Sequence, residues 1–243
     1  QGKRVAESMA LGTLLVCSDG SYSSSQKKGS HGWVFATEQQ TLWKGAGPVD
    51  GHPDMMNPYR AELGGLVSVL HILTAISTHY KISSGELTVY SDCLSAIKHV
   101  QQSYQLGLTH HLAPDYDLLK EGRTLLNHLQ TSYKVTLKWI KGHFKGKQSI
   151  AHKLNETAHN LAYSYLKDDH GTHNPRKLVY DPPSYEVSIQ YDGSTITSKL
   201  PHYISQALYS ASLRDTICKN EKWTVSTFHK VDWKAYYKNM QTT

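Results

Sequence analysis

Asp19, Glu62 and Asp92 are the residues of this chain whose types and surroundings suit chemistry. Asp19 closes the apolar run TLLVCS (13–18), Asp92 closes LTVYS (87–91), and Glu62 opens a long apolar-periodic segment just after Arg60. Short apolar runs ending in turn residues read as buried strands. If those two strands are parallel neighbours, both aspartates emerge at one sheet edge, where open α/β sheets place their sites. The Leu63, Leu66 and Leu70 stripe can lay the intervening helix across the sheet and carry Glu62 towards the same edge. Three adjacent carboxylates repel one another and stay ionised at neutral pH only with positive charge among them. Hard oxygen ligands of this kind suit Mg²⁺ or Mn²⁺. Two such ions roughly 4 Å apart can clamp the attacking and leaving oxygens of a phosphodiester. Taken singly, each acid has a plainer explanation: a turn residue, a partner for a helix dipole, an N-cap. The combination carries the chemistry.

The elements that must position these acids follow from the hydrophobic pattern. TLLVCS, GWVFAT (32–37) and TLWKGAG (41–47) predict a three-strand antiparallel meander. Asn57-Pro58 reads as N-cap and first helical position. Leu63, Leu66, Val67, Leu70, Leu73 and Ile76 then recur at steps of three and four, which predicts an amphipathic helix to about Tyr80. LTVYSD (87–92) predicts a strand followed by a short helix. DYDLLKEGRTLLNHLQ (115–130) predicts a helix, YKVTLKWI (133–140) a strand, KGHFKGKQSIAHK (141–153) a basic loop, and LNETAHNLAYSYL (154–166) a last helix. The order βββ-α-β-α-α-β-α requires a sheet that is parallel in part, and the opening meander makes it mixed. The fold class is therefore α/β: a mixed five-stranded sheet flanked by helices. Around residues 168–184 the pattern dissolves into turn residues, so a boundary is set there, with residues 1–170 as the main domain and 171–243 as a C-terminal extension. The extension reads as a small α+β appendage: a hairpin around Asp192-Gly193, then partly helical chain with Trp223, Phe228 and Trp233 as anchors.

Composition narrows the partners. A chain of 243 residues with 39% hydrophobic content can bury one sizeable core. A formal net charge of +6 favours a polyanion. The three cysteines, Cys17, Cys93 and Cys218, are far apart and lack CxxC spacing, which argues for a reducing, intracellular compartment. No uninterrupted apolar run approaches a membrane span, and residues 1–10 lack the apolar stretch of a secretory signal, so neither a membrane partner nor secretion is expected. The histidines show no HExxH or zinc-finger spacing. Lys141, Lys145, Lys147 and Lys153 crowd around His143, and Lys27 and Lys28 lie in the first loop, which suits phosphate contact.

The blocks CSDGSY (17–22), YRAELGGL (59–66), VYSDCLSAI (89–97), WIKGH (139–143) and LNETAHNLA (154–162) resemble, in order, the signature blocks of the ribonuclease H family. They are most similar to the versions that retrotransposon polyproteins carry behind the reverse transcriptase. The resemblance covers roughly residues 12–167. It implies a ribonuclease H-like fold and a metal-dependent endonuclease that cuts the RNA strand of an RNA–DNA hybrid. It also implies a reverse transcriptase domain of the same polyprotein as partner, and no small-molecule cofactor. Asp19, Glu62 and Asp92 would ligate metal, with Asp19 bridging two ions, and His143 would assist proton transfer or product release. Gly20 and Ser21 would touch the RNA near its 2′-hydroxyls. With Lys27, Lys28, Arg60, Lys141, Lys145 and Lys147 they make up the expected nucleic-acid contacts. KWTVSTFHKVDW (222–233) is more loosely similar to the tail that follows this block in some retroelements.

Two departures qualify the resemblance. The family's fourth acid sits in a pattern like N-x-x-A-D-x-L-A, and here His159 occupies the acid's place. Neutral imidazole can ligate a metal but brings no negative charge and suits softer ions than Mg²⁺. His159 is thus a candidate catalytic residue and ligand, with weakened Mg²⁺ activity, a shift to Mn²⁺ or loss of cleavage as the outcomes, and with the second ion made less secure. The alternative function is a catalytically weakened module that binds nucleic acid or a polyprotein partner. Before Glu62, Pro58-Tyr59 stands where many cellular members place Asn or Gln; Pro58 has no N–H to offer a hybrid.

Overall fold

A computed structural model describes residues 1–102, 114–142, 144, 146, 148–168, 190–191, 194–196 and 199–231. The elements are α1 (Gly2–Ala10), β1 (Leu15–Ser23), β2 (Lys28–Ala36), β3 (Thr41–Pro48), α2 (Pro58–Tyr80), β4 (Gly85–Ser91), α3 (Leu94–Gln101), α4 (Tyr116–Gln130), β5 (Tyr133–Trp139), α5 (Ile150–Lys167), the short pair β6 (Gln190–Tyr191) and β7 (Ser194–Thr195), α6 (Leu200–Glu221) and α7 (Val225–Lys230). The main sheet has five strands in the order β3-β2-β1-β4-β5. β1, β2 and β3 pair antiparallel, while β4 runs parallel to both β1 and β5. This is the mixed sheet that the element order required.

Alternation along the strands divides the core between two faces. Val16, Trp33 and Phe35 join the larger cluster with Leu63, Leu66, Leu70 and Leu73 of α2. Cys17, Val34 and Ala36 point the other way, into a smaller cluster with Leu154 and Ala158 of α5. α2 starts as its sequence predicts: Asn57 Oδ1 accepts the Arg60 N–H at 2.8 Å, with Pro58 in the first turn. By length and composition α2 could cross a membrane, but its apolar stripe is spent on the sheet and on the helices beside it.

Several elements depart from expectation. α1 was not anticipated; Val5, Ala6 and Met9 form its buried face. β2 begins at Lys28 rather than at 32, and α5 begins at Ile150 rather than at 154, because Ser149 and His152 form a reciprocal capping box. β1 does not end before Asp19. It pairs with β4 only through Cys17, then continues beside β2 to Ser23, so Asp19 lies mid-strand. β6 and β7 pair antiparallel, and the Asp192-Gly193 turn expected between them lies outside the described residues. The chain divides into two compact units, 1–198 and 199–243. The boundary expected at 170/171 falls outside the described residues.

Arg60 is a correction. It was expected on a nucleic-acid surface, yet it is 1% exposed. Its guanidinium donates to Asp115 at 2.9 Å, to both carboxylate oxygens of Asp117 at 3.0 and 2.6 Å, and to the Asp50 carbonyl at 2.8 Å. The node ties the β3–α2 loop and the start of α2 to the start of α4. Arg60→Ala strands two acids without their cation, and unfolding in urea should show a loss of about 3–5 kcal/mol. A loss below about 1 kcal/mol would refute the structural role given to Arg60.

Candidate active site

The parting of β1 from β4 makes the site. Past Cys17 the two strands no longer pair, and Asp19 and Asp92 face that opening from either side. Asp19 is held within the β1–β2 ladder and is 2% exposed. Glu62 comes from the first turns of α2, and Asp92 from the short link between β4 and α3. One carboxylate oxygen from each can be chosen so that all three lie within 4.8 Å of one another. Three acids distant in sequence thus converge as their spacing predicted.

Gly20 makes the convergence possible. A Cβ there would lie 2.3 Å from the Glu62 nitrogen, so only glycine lets α2 approach β1 this closely. Its N–H donates to Asp19 Oδ1 at 2.7 Å and to Glu62 Oε2 at 3.0 Å. The Gly20 amide therefore faces the carboxylates.

α5 contributes from the other face. His159 Nδ1 lies 2.9 Å from Asp19 Oδ2. One turn earlier, Asn155 donates from Nδ2 to Asp92 Oδ2 at 3.3 Å and accepts from Cys17 Sγ at 3.4 Å. Burial, then the charge of Asp19, pushes the Cys17 thiol up and keeps it neutral. Trp139 Nε1 donates to the Asp92 carbonyl at 2.8 Å, and it and Asn155 are contacts that sequence reasoning missed. The one available signal was the four-residue step from Asn155 to His159, which places both on one helix face. Glu156 is exposed and accepts from Gln148 at 3.4 Å.

Lys27 pairs with Asp54, and Lys28 and Lys141 are exposed. Ser21 is half-buried on β1. His143, Lys145 and Lys147 lie outside the described residues.

The family model described as RNase H matches residues 12–167, more than half of the sequence. The chain belongs to the RNase H family. Two solved structures give the scale of the likeness. The solution structure of the PFV RNase H domain is 19% identical, covers 63% of this chain and 95% of its own, and has a TM-score of 0.46. RNase H1 from the halophilic archaeon Halobacterium salinarum NRC-1 is 16% identical, with coverage of 64% and 98% and a TM-score of 0.41. No curated protein matches the chain.

The electrostatics test whether a cation suits this RNase H centre. Burial, then repulsion from Asp92, raises the Asp19 carboxyl above its ordinary range. Burial, then the charges of Asp19 and Asp92, raises Glu62 strongly. Protein groups alone leave the cluster with too little positive charge, and an all-oxygen donor set fits a hard divalent ion. Both carboxyls hold protons more tightly folded than unfolded. The metal-free fold therefore loses stability as pH rises from the ordinary carboxylate range through the raised one. With its carboxyl raised to about 10, Glu62 must take up a proton on folding at pH 8; Glu62→Gln removes that cost, so its melting temperature in EDTA at pH 8 should exceed that of wild type, with a flatter dependence on pH. Thermal unfolding across pH checks this, and a lower melting temperature at pH 8 would contradict it.

Proposed function

We propose that this chain is the RNase H portion of a retroelement polyprotein, a divalent-metal-dependent endonuclease that cuts the RNA strand of RNA–DNA hybrids. The observation that carries the reading is the Asp19, Glu62 and Asp92 cluster within 4.8 Å, set in an RNase H domain. Those three side chains would hold the metal, which supplies charge for the scissile phosphate and an activated water. The protein's part is to keep the carboxylates converged against their own repulsion. The exposed Lys28 and Lys141, with Lys145 and Lys147 beside them in sequence, suit the phosphate backbone, and Ser21 suits the RNA strand. His143 is the proposed aid to proton transfer or product release. The retroelement setting is supported by the order and wording of the five sequence blocks, and it makes a reverse transcriptase domain the natural partner.

His159 favours a second reading in one respect. Its hydrogen bond to Asp19 Oδ2 engages one of the two oxygens that this carboxylate could offer a metal, and it brings no negative charge in place of the family's acid. A domain with reduced cleavage and retained hybrid binding is the form that reading takes.

Labelled hybrid incubated with excess protein decides between them. Cleavage of the RNA strand is expected with Mn²⁺ and more weakly with Mg²⁺, and no cutting with either ion overturns the nuclease assignment. Asp92→Asn should lower the rate by more than about a hundredfold, beyond the loss typical of a group that only supports a ligand. His159→Asp should raise the Mg²⁺-dependent rate by about tenfold or more; an unchanged rate would show that imidazole serves as well as the acid.

A further inference from the structure

Asp92 is the member of the cluster with the least secondary structure under it. β4 ends at Ser91 and α3 begins at Leu94, so Asp92 belongs to neither. Yet three contacts converge on it from one stretch of chain, residues 139–155. Trp139 Nε1 donates to the Asp92 carbonyl at 2.8 Å. Asn155 Nδ2 donates to Asp92 Oδ2 at 3.3 Å. The Gly142 backbone passes so close that a Cβ would lie 2.3 Å from the same Oδ2.

We propose that Trp139 and Asn155 are positioning residues that fix the Asp92 carboxylate and thereby set the divalent-cation affinity of the cluster. This rests on the metal-dependent reading given above. Trp139 is 49% exposed, so core burial is a weak account of an indole at this place. Its N–H instead pins the Asp92 peptide, which fixes the direction in which the side chain leaves the backbone. Asn155 works on the carboxylate itself. A neutral amide orients an anion without cancelling its charge, whereas a lysine there would compete with the incoming cation. The Cys17 thiol bonded to Asn155 Oδ1 at 3.4 Å fixes which end of the amide faces Asp92. Gly142 leaves the carboxylate room on its remaining side. Partners of this kind around ligating groups typically alter metal affinity by ten- to a hundredfold when removed.

Calorimetric titration with Mn²⁺ tests the proposal on wild type, Trp139→Phe and Asn155→Ala, each first melted in EDTA to verify folding. Both variants should bind Mn²⁺ about tenfold or more weakly than wild type while keeping a cooperative transition. In ¹H–¹⁵N spectra, the indole resonance that disappears in Trp139→Phe should shift as Mg²⁺ is added to wild type and saturate with binding. Unchanged Mn²⁺ affinity in Trp139→Phe, whose exposed position makes misfolding a poor excuse, overturns the assignment of Trp139. Unchanged affinity in folded Asn155→Ala does the same for Asn155. Wild type that neither binds Mn²⁺ nor cuts hybrid brings down the metal-dependent reading itself, and this proposal with it. Normal wild-type binding with indifferent variants removes only the positioning role.

Discussion

Repulsion among three carboxylates is the constraint to which the rest of this structure answers. Asp19 and Glu62 are buried enough that ionisation is costly; the charge of Asp92 adds to that cost at both, and the charge of Asp19 adds to it at Glu62. A chain left to its own preferences would spread these acids into water. Here they are kept together by elements whose stability comes from elsewhere: a strand locked in an antiparallel ladder, a long helix buried along its apolar stripe, and a link clasped by Trp139 at the end of β5 and Asn155 of α5. The fold supplies the stability and the site takes some of it back.

The sheet provides the opening as well as the support. β1 takes β4 as its parallel neighbour for three residue pairs and then keeps only β2. Where the strands part, one face receives α2 and the other α5. Because side chains alternate, Asp19 points towards the α5 side while Gly20 points towards α2, where it leaves room for Glu62 to approach. A shift of one residue in β1 would exchange the two and abolish the site, which is why its register with β2 has to hold along the whole strand.

α5 gives the centre its individual character. Asn155 and His159, one turn apart, each hold one aspartate, so a single helix face reaches both sides of the opening. Imidazole in place of an acid makes this face less negative than the family pattern implies. The RNase H scaffold here thus keeps the three converging carboxylates and is altered at one group that contacts Asp19.

Much was legible in the linear chain. Strand period, helix period and the Asn57-Pro58 start fix the element order, and the order fixes a mixed sheet; the three acids stand out because each follows or opens a strongly periodic segment. Local patterns of this kind depend on neighbours a few residues away. The outward role expected of Arg60 failed for the opposite reason: its partners Asp115 and Asp117 are 55 and 57 residues distant, and nothing near Arg60 signals that its charge is buried. The same holds for Trp139 and Asn155, whose hydrogen bonds to Asp92 span 47 and 63 residues. The sequence by itself therefore determined which elements form and which acids are candidates, because periodicity and capping are written locally. Only the tertiary structure decided which polar groups hold those acids and which charges are withdrawn from solvent, because hydrogen bonds and burial depend on distance in space.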